Sequence, residues 1–259
     1  MEVEDVKLVR AGDNLGFGRA CNLGAAQGQA EFVLFLNPDA AIYSGTLDYV
    51  FDYMTSVQSQ DVGVCGVQLQ DEHGYIARSC TRFPSTTSML LHSLGIDRFV
   101  PRGGYFMSEW DHNEDRSVDH VIGAFYFVRR SVFEALNGFD ERFFLYLEDL
   151  DLSKRIKNAG WRIEFLSAGK AFHKGGGTSD KIKARRLFYS LRSRILYAYK
   201  HFGSVSGTII TLSTFCLEPW LRVLLAISKC SGSSVRETLA AYRMLLKWFP
   251  EWVVKGRTR

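Results

Sequence analysis

The run Glu31–Leu36, EFVLFL, closed at once by Asn37-Pro38-Asp39, most limits how this chain can fold. Consecutive apolar residues leave no side of a strand for water, so the segment is expected to be central and buried on both faces. The Asn-Pro-Asp turn stops it. Upstream, Val6–Val9 reads as a short strand, AGDNLGFG as a loop, and Arg19 to Gln27 as a helix closed by Gly28. Downstream, Gly45–Ser56 has Leu47, Val50, Phe51 and Met54 on one helical face; Val62–Leu69 is a further strand and Asp71–Gly74 a turn. Alternating strands and helices predict an α/β fold with a mostly parallel sheet flanked by helices.

Residues 78–115 look irregular, and a long loop inside a compact domain is usually functional. Val118–Arg129 (VDHVIGAFYFVR) reads as a strand region and Ser131–Asn137 as a short helix ended by Gly138. FFLYLEDLD follows, then the helical pattern LSKRIKNAG, stopped by Gly160, and a strand Trp161–Leu166. Ala171–Ser179 (AFHKGGGTS) is a glycine-rich loop, and Ile182 to His201 is helical and basic. Two more helical stretches close the chain. The second carries Ser234 and Glu237 in capping-box spacing, with Val235, Leu239, Tyr242, Leu246 and Phe249 on one face and Arg236, Arg243 and Lys247 beside them. Such a helix either packs on the rest with a solvated basic edge, which is the plainer reading, or lies on anionic lipid.

A chain of 259 residues with 46% hydrophobic content can bury one sizeable core or a core with an appendage. The net charge of +4 is concentrated at the end: from residue 204 on, eight Lys and Arg stand against three Glu. A nearly neutral body argues against nucleic-acid binding, and a basic tail allows peripheral contact with an anionic membrane. The five cysteines form no CxxC pair, which fits reduced thiols in a cytosolic protein. MEVEDVKLVR has no apolar core, so no signal peptide is expected; Phe202–Leu217 is too short and polar for a clear membrane span.

Three places could carry chemistry. Asp39 stands at the carboxyl end of the buried strand, where ligands of parallel sheets bind, and a carboxylate there can hold a divalent cation; a plain turn explains it equally well. Glu148, Asp149 and Asp151 open a helix behind an apolar run, which suits either a helix cap or a general base. His173 precedes three glycines whose backbone can approach a phosphate. Gly16-Phe17-Gly18 begins like a dinucleotide fingerprint, but Cys21 occupies the third glycine position. The chain has no P-loop, no G-x-S-x-G elbow and no HExxH.

In order, NLGFGRACNLGAAQGQAEFVLFLNPDA, VDHVIGAFYFVRR and GFDERFFLYLEDLDLSKRIKNAGWRIEFLSAGKAFHKGGGTS resemble glycosyltransferase family 2. Within it they look most like bacterial rhamnosyltransferases that build surface polysaccharides. RRLFYSLRSRILYAYKHFG is similar to the segment after the catalytic domain of such proteins. The resemblance implies a GT-A (Rossmann-like) fold over residues 1–180 and a helical C-terminal extension over 181–259. It also implies a nucleotide-sugar donor, Mg²⁺ or Mn²⁺, and inverting transfer to a lipid-linked or glycan acceptor at the inner face of the plasma membrane. Asp149 matches the catalytic base, beside Glu148. Asp39 and His173 match metal or diphosphate contacts, and Asn37 stands where many relatives have an acid. Asn14, Gly16, Asn22 and Asn37 fall on the donor side, Asp151 and Asp119 on the acceptor side. The apolar run before Asp149 is expected to desolvate it. A homo-oligomer is compatible with the sequence.

One departure is visible. Family members begin with a strand–helix–strand unit of roughly 30 or more residues that this chain lacks, which would leave Glu31–Leu36 without a neighbour. Either the start codon is misplaced, or the chain is an inactive remnant that binds a glycan or a partner transferase, or a partner supplies the strand.

Overall fold

The computed structural model describes residues 6–97, 105–107, 109–175 and 182–256. Its elements in order begin with α1 (Phe17–Ala25), β1 (Phe32–Leu36), β2 (Ala40–Ile42), α2 (Thr46–Thr55), β3 (Val62–Gln70), β4 (Ile76–Ala77) and β5 (Cys80–Thr81). They continue with α3 (Thr86–Ser93), β6 (Arg116–Val118), β7 (His120–Val121), β8 (Phe125–Arg129), α4 (Arg130–Ala135), α5 (Glu148–Asn158) and β9 (Arg162–His173). The chain closes with α6 (Lys183–Cys216), α7 (Glu218–Ser228) and α8 (Gly232–Lys255). The α/β class and the C-terminal helices are as expected. Val6–Val9 forms no strand, and residues 176–181 of the glycine-rich segment lie outside the described residues.

The main sheet runs β1-β8-β3-β9-β2, with β4 on β3 and β6 on β9. Its pairing corrects the expectation of a mostly parallel sheet. Only β3 and β9 run parallel; β8 is antiparallel to both β1 and β3, and β2, β4 and β6 are antiparallel to their partners. The cause lies in the connections. Parallel neighbours need a long crossover, which β3 and β9 have, whereas β4 turns straight back on β3 through Asp71–Gly74. The 118–129 region is also not one strand; β6, β7 and β8 divide it.

β1 pairs with β8 alone among the described residues, so it ends the strand order instead of standing at its centre. Its two faces still meet apolar cores. Val33 and Phe35 pack in a cluster with Val64, Tyr126, Phe139, Leu152 and Ile156, while Phe32 and Leu34 join Val50, Met54, Val67, Leu69 and Phe127. α5 thus covers one face of the sheet and α2 the other. A third cluster ties the extension to this body: Leu191, Ile195 and Tyr197 of α6 and Tyr242, Leu245 and Trp248 of α8 meet Met89 of α3, Leu150 of α5 and Phe143 in the loop before it.

α6 bends at Gly203, whose φ of 80° is left-handed backbone that a glycine adopts without a Cβ penalty. α8 corrects two expectations. Its cap is Ser231, which accepts from Ser234 N–H, in place of a Ser234–Glu237 box. Its buried face is Thr238, Ala241, Tyr242, Leu245 and Trp248, so Leu239 and Leu246 point outward. Helix periodicity located the stripe but not the side that its neighbours cover.

Candidate active site

Tyr146 and Leu147 have φ of 71° and 65°, a left-handed conformation that non-glycine residues seldom adopt. The two residues reverse the chain sharply and let Leu147 O accept from Asp151 N–H at 2.8 Å, which starts α5 at Glu148. Glu148 and Asp149 therefore sit in its first turn, where free N–H groups and the dipole favour negative charge. Asp149 Oδ2 accepts from Gly123 N–H at 2.7 Å, and Oδ1 accepts from its neighbour Leu150 N–H at 2.8 Å. Its side chain is 20% exposed. It opens on a cavity of about 370 Å³ walled by Phe17, Asn37, His120, Ile122, Tyr146 and Glu148, among others.

Desolvation acts strongly on Glu148. That carboxyl is buried, its Oε2 has no hydrogen-bond partner among the described residues, and burial, then the charge of Asp149, push its pKa well above the usual carboxylate range. Glu148 thus favours its protonated form beside an acid fixed by two backbone donors. The same surroundings act on Cys21: burial, then Glu148 and Asp149, push its thiol up to about 12.

His120 is the site residue that the sequence reading missed. Its Nδ1 lies 2.9 Å from Ser153 Oγ, which lies 3.0 Å from Tyr126 Oη, and its Nε2 is 3.8 Å from Asp149 Oδ2. Burial lowers the His120 pKa against the pull of Asp149 and Asp119, so the ring favours its neutral form. A histidine within the mostly apolar run VDHVIGAF was the available signal.

Pairing of β2 with β9 sets Ala40 opposite His173. It brings His173 Nε2 within 3.4 Å of Asp39 Oδ1, and both side chains stay partly exposed. One carboxylate oxygen and one imidazole nitrogen are donors that a divalent cation accepts. Among the described residues no group of three or more His, Cys, Asp or Glu is arranged to hold a metal ion by itself. Asn37, two residues before Asp39 in the chain, walls the same cavity as Asp149, whereas Asp39 and His173 are not among the residues that wall it.

The other expected site residues have structural partners. Asp151 does not wall the cavity: it is fully buried and bonded to Arg155 at 2.8 Å, His201 at 2.7 Å and Lys200. Burial opposes its charge, but the bond from His201 and the charges of Arg155 and Lys200 hold its pKa below the ordinary value. Asp119 accepts from Phe83 N–H at 3.0 Å and fixes that loop. Asn22 clasps Phe139 by both its N–H and C=O, at 2.9 Å each. Asn14 Oδ1 accepts from Gly16 N–H at 3.1 Å. At Gly16 a Cβ would lie 2.2 Å from Phe144 O, so this glycine is explained by close packing. Of the four donor-side residues, Asn37 alone walls the cavity.

The chain is 29% identical over 214 residues to the N-acetylglucosaminyl-diphospho-decaprenol L-rhamnosyltransferase of Mycobacterium tuberculosis, covering 77% of this chain and 69% of that protein. It is 28% identical over 200 residues to the rhamnosyltransferase WbbL of Escherichia coli, covering 72% and 71%. Among solved structures, the mannosyltransferase PcManGT of Pyrobaculum calidifontis, in complex with GDP-Man and Mn²⁺, superposes with a TM-score of 0.44 at 14% identity, over 93% of this chain and 61% of that one. The family model described as "Glycosyltransferase like family 2" matches residues 1–187, well over half of the 259. The chain belongs to that family and is a glycosyltransferase.

Proposed function

We propose that this glycosyltransferase moves a sugar such as rhamnose from a nucleotide-sugar donor to a hydroxyl of a lipid-linked or glycan acceptor, with inversion, at the cytoplasmic face of a membrane. Residues 1–180 would form the catalytic part and 181–259 the extension. The observation that carries the reading is the Asp149 carboxylate, held by Gly123 N–H and Leu150 N–H at the wall of the cavity. A base fixed in this way presents its free lone pairs in one direction. As the acceptor oxygen bonds to the sugar carbon, its proton passes to Asp149, and the bond to the diphosphate breaks with its electron pair on the leaving group. Glu148, favoured as the neutral acid, keeps a second charge away from Asp149.

Asp39 and His173 would hold a divalent cation, either Mg²⁺ or Mn²⁺. Bound there, it would neutralise charge on the departing nucleoside diphosphate. The two rhamnosyltransferase relatives support the choice of sugar, and the diphospho-decaprenol in one name supports a lipid-linked acceptor.

The test is transfer from a panel of nucleotide sugars, with and without Mn²⁺, by the parent chain and by Asp149→Asn. Asp149→Asn is expected to lower kcat by roughly 10²–10⁴-fold while nucleotide binding persists. Undiminished transfer by the variant would remove Asp149 from its role. If the parent chain neither turned over nor bound any nucleotide, the binding-module alternative would replace the enzyme.

A further inference from the structure

The extension folds as a helical hairpin whose parts bury one apolar stripe and leave a second one outside. Beyond the Gly203 bend, α6 turns Val205, Ile209 and Leu212 outward at successive helical turns. α7 exposes Trp220 at 70% and Leu224 at 61%, with Ile227 one turn further on. On α8, Leu239, Leu246 and Val253 recur every seven residues, with Leu246 at 61% exposed. Exposed apolar side chains standing singly are ordinary, but stripes repeated on three consecutive, mutually packed helices mark a contact surface.

Charge identifies what that surface meets. Lys229 in the α7–α8 turn and Arg236, Arg243, Lys247 and Lys255 of α8 are exposed, and none makes an ion pair among the described residues. Glu251 is the exposed acid on α8. Cations beside an apolar stripe match an anionic lipid surface, with apolar groups below the headgroups and ammonium and guanidinium groups among the phosphates. Two copies facing each other through this stripe would instead bring like charges together.

Helix geometry argues for lying on the bilayer over crossing it. The helical stretch Lys183–Ser228 is apolar and long enough to span by length and composition. Its continuity is broken at Gly203, and again where α6 gives way to α7. At that second break Glu218 is fully buried between Arg194 and Arg222, a charge cluster anchored inside the hairpin. α7 by itself is about 16 Å long, half the thickness of a hydrocarbon core.

We propose that the outward stripe of α6, α7 and α8 is a monotopic membrane-binding face that seats on anionic phospholipid. Met244, Lys247 and Trp248 of α8 share a groove with Phe144, whose next three residues, Leu145 to Leu147, wall the Asp149 cavity. The use of this face for a lipid-linked acceptor rests on the transferase reading, but binding to a bilayer can be measured without turnover.

The experiment is flotation of the whole chain with vesicles of phosphatidylcholine alone or with about 30% phosphatidylglycerol. Binding is expected only to the anionic vesicles and is expected to weaken on adding about 0.5 M salt. The double variant Leu224→Ser/Ile227→Ser should partition at least about tenfold less. Arg236→Gln/Arg243→Gln should lose the preference for anionic lipid. Far-UV circular dichroism and transfer to a water-soluble acceptor should be unchanged in both, because the replaced side chains are exposed and remote from Asp149. The proposal is overturned if the parent chain floats with neither vesicle or if the serine variant binds as well as the parent. It is equally overturned if sedimentation shows a dimer that these substitutions abolish, which would make the stripe a self-interface. Loss of soluble transfer with intact flotation would instead count against the transferase reading alone.

Discussion

Replacing Asp151 by Asn keeps the volume of a fully buried side chain and removes its charge. In the folded chain that carboxylate meets Arg155, Lys200 and His201, which join α5 to α6. Removing one partner of a buried ion pair costs about 3–5 kcal/mol, because the remaining charge loses compensation. Arg155 and Lys200 have other acceptors. Arg155 also donates to the carbonyls of Leu136 and Gly138, at 2.8 Å each, and Lys200 also pairs with Asp140 at 2.7 Å. The expected cost is therefore at the low end, about 3 kcal/mol, or a fall of about 6–12 °C in Tm for a chain of this size. Urea unfolding should show a lower midpoint with an unchanged slope. The pH dependence has a defined sign. Asp151 and Asp140 both have pKa values held below the ordinary carboxylate value, so their stabilisation is complete above about pH 4 and is lost as pH falls further. Asp151→Asn should therefore lie closer in stability to the parent chain in acid than at neutral pH. At temperatures where the variant is folded, kcat and the acceptor KM should match those of the parent. A stable Asp151→Asn with a raised acceptor KM would refute the structural role and return Asp151 to the acceptor side.

Gly16→Ala should destabilise the chain by about 2–4 kcal/mol, since φ is 78° and the new Cβ meets Phe144 O at 2.2 Å; a urea midpoint within error of the parent would show that the loop yields. Thiol titration should find Cys216 and Cys230 reacting at once, as both are exposed. Cys21 and Cys80, whose pKa values burial pushes up to about 12, and Cys65, pushed up further by its own burial, should react only in denaturant. A fast third thiol would contradict the packing around Glu148 or in the sheet.

Local pattern was enough to locate most elements and the order of the chemistry-bearing residues. The apolar run at Phe32–Leu36, the Asn-Pro-Asp turn and the acids opening α5 are written in neighbouring residues, and the structure forms them where expected. The family is likewise legible, since several motifs stand in one order. What depended on distant partners was not legible. Strand direction follows from the connections, so the sheet proved mixed. The three acids of the EDLD segment look alike in sequence. Only packing separates them: Asp149 onto Gly123 N–H at a cavity, Glu148 into an apolar enclosure, and Asp151 onto Lys200 and His201 of α6. Helix period likewise marked an apolar stripe on α8, but which stripe is covered was decided by α6 and α7. A residue's chemistry is local, whereas its burial, its charge partner and its exposure are properties of what the fold brings against it.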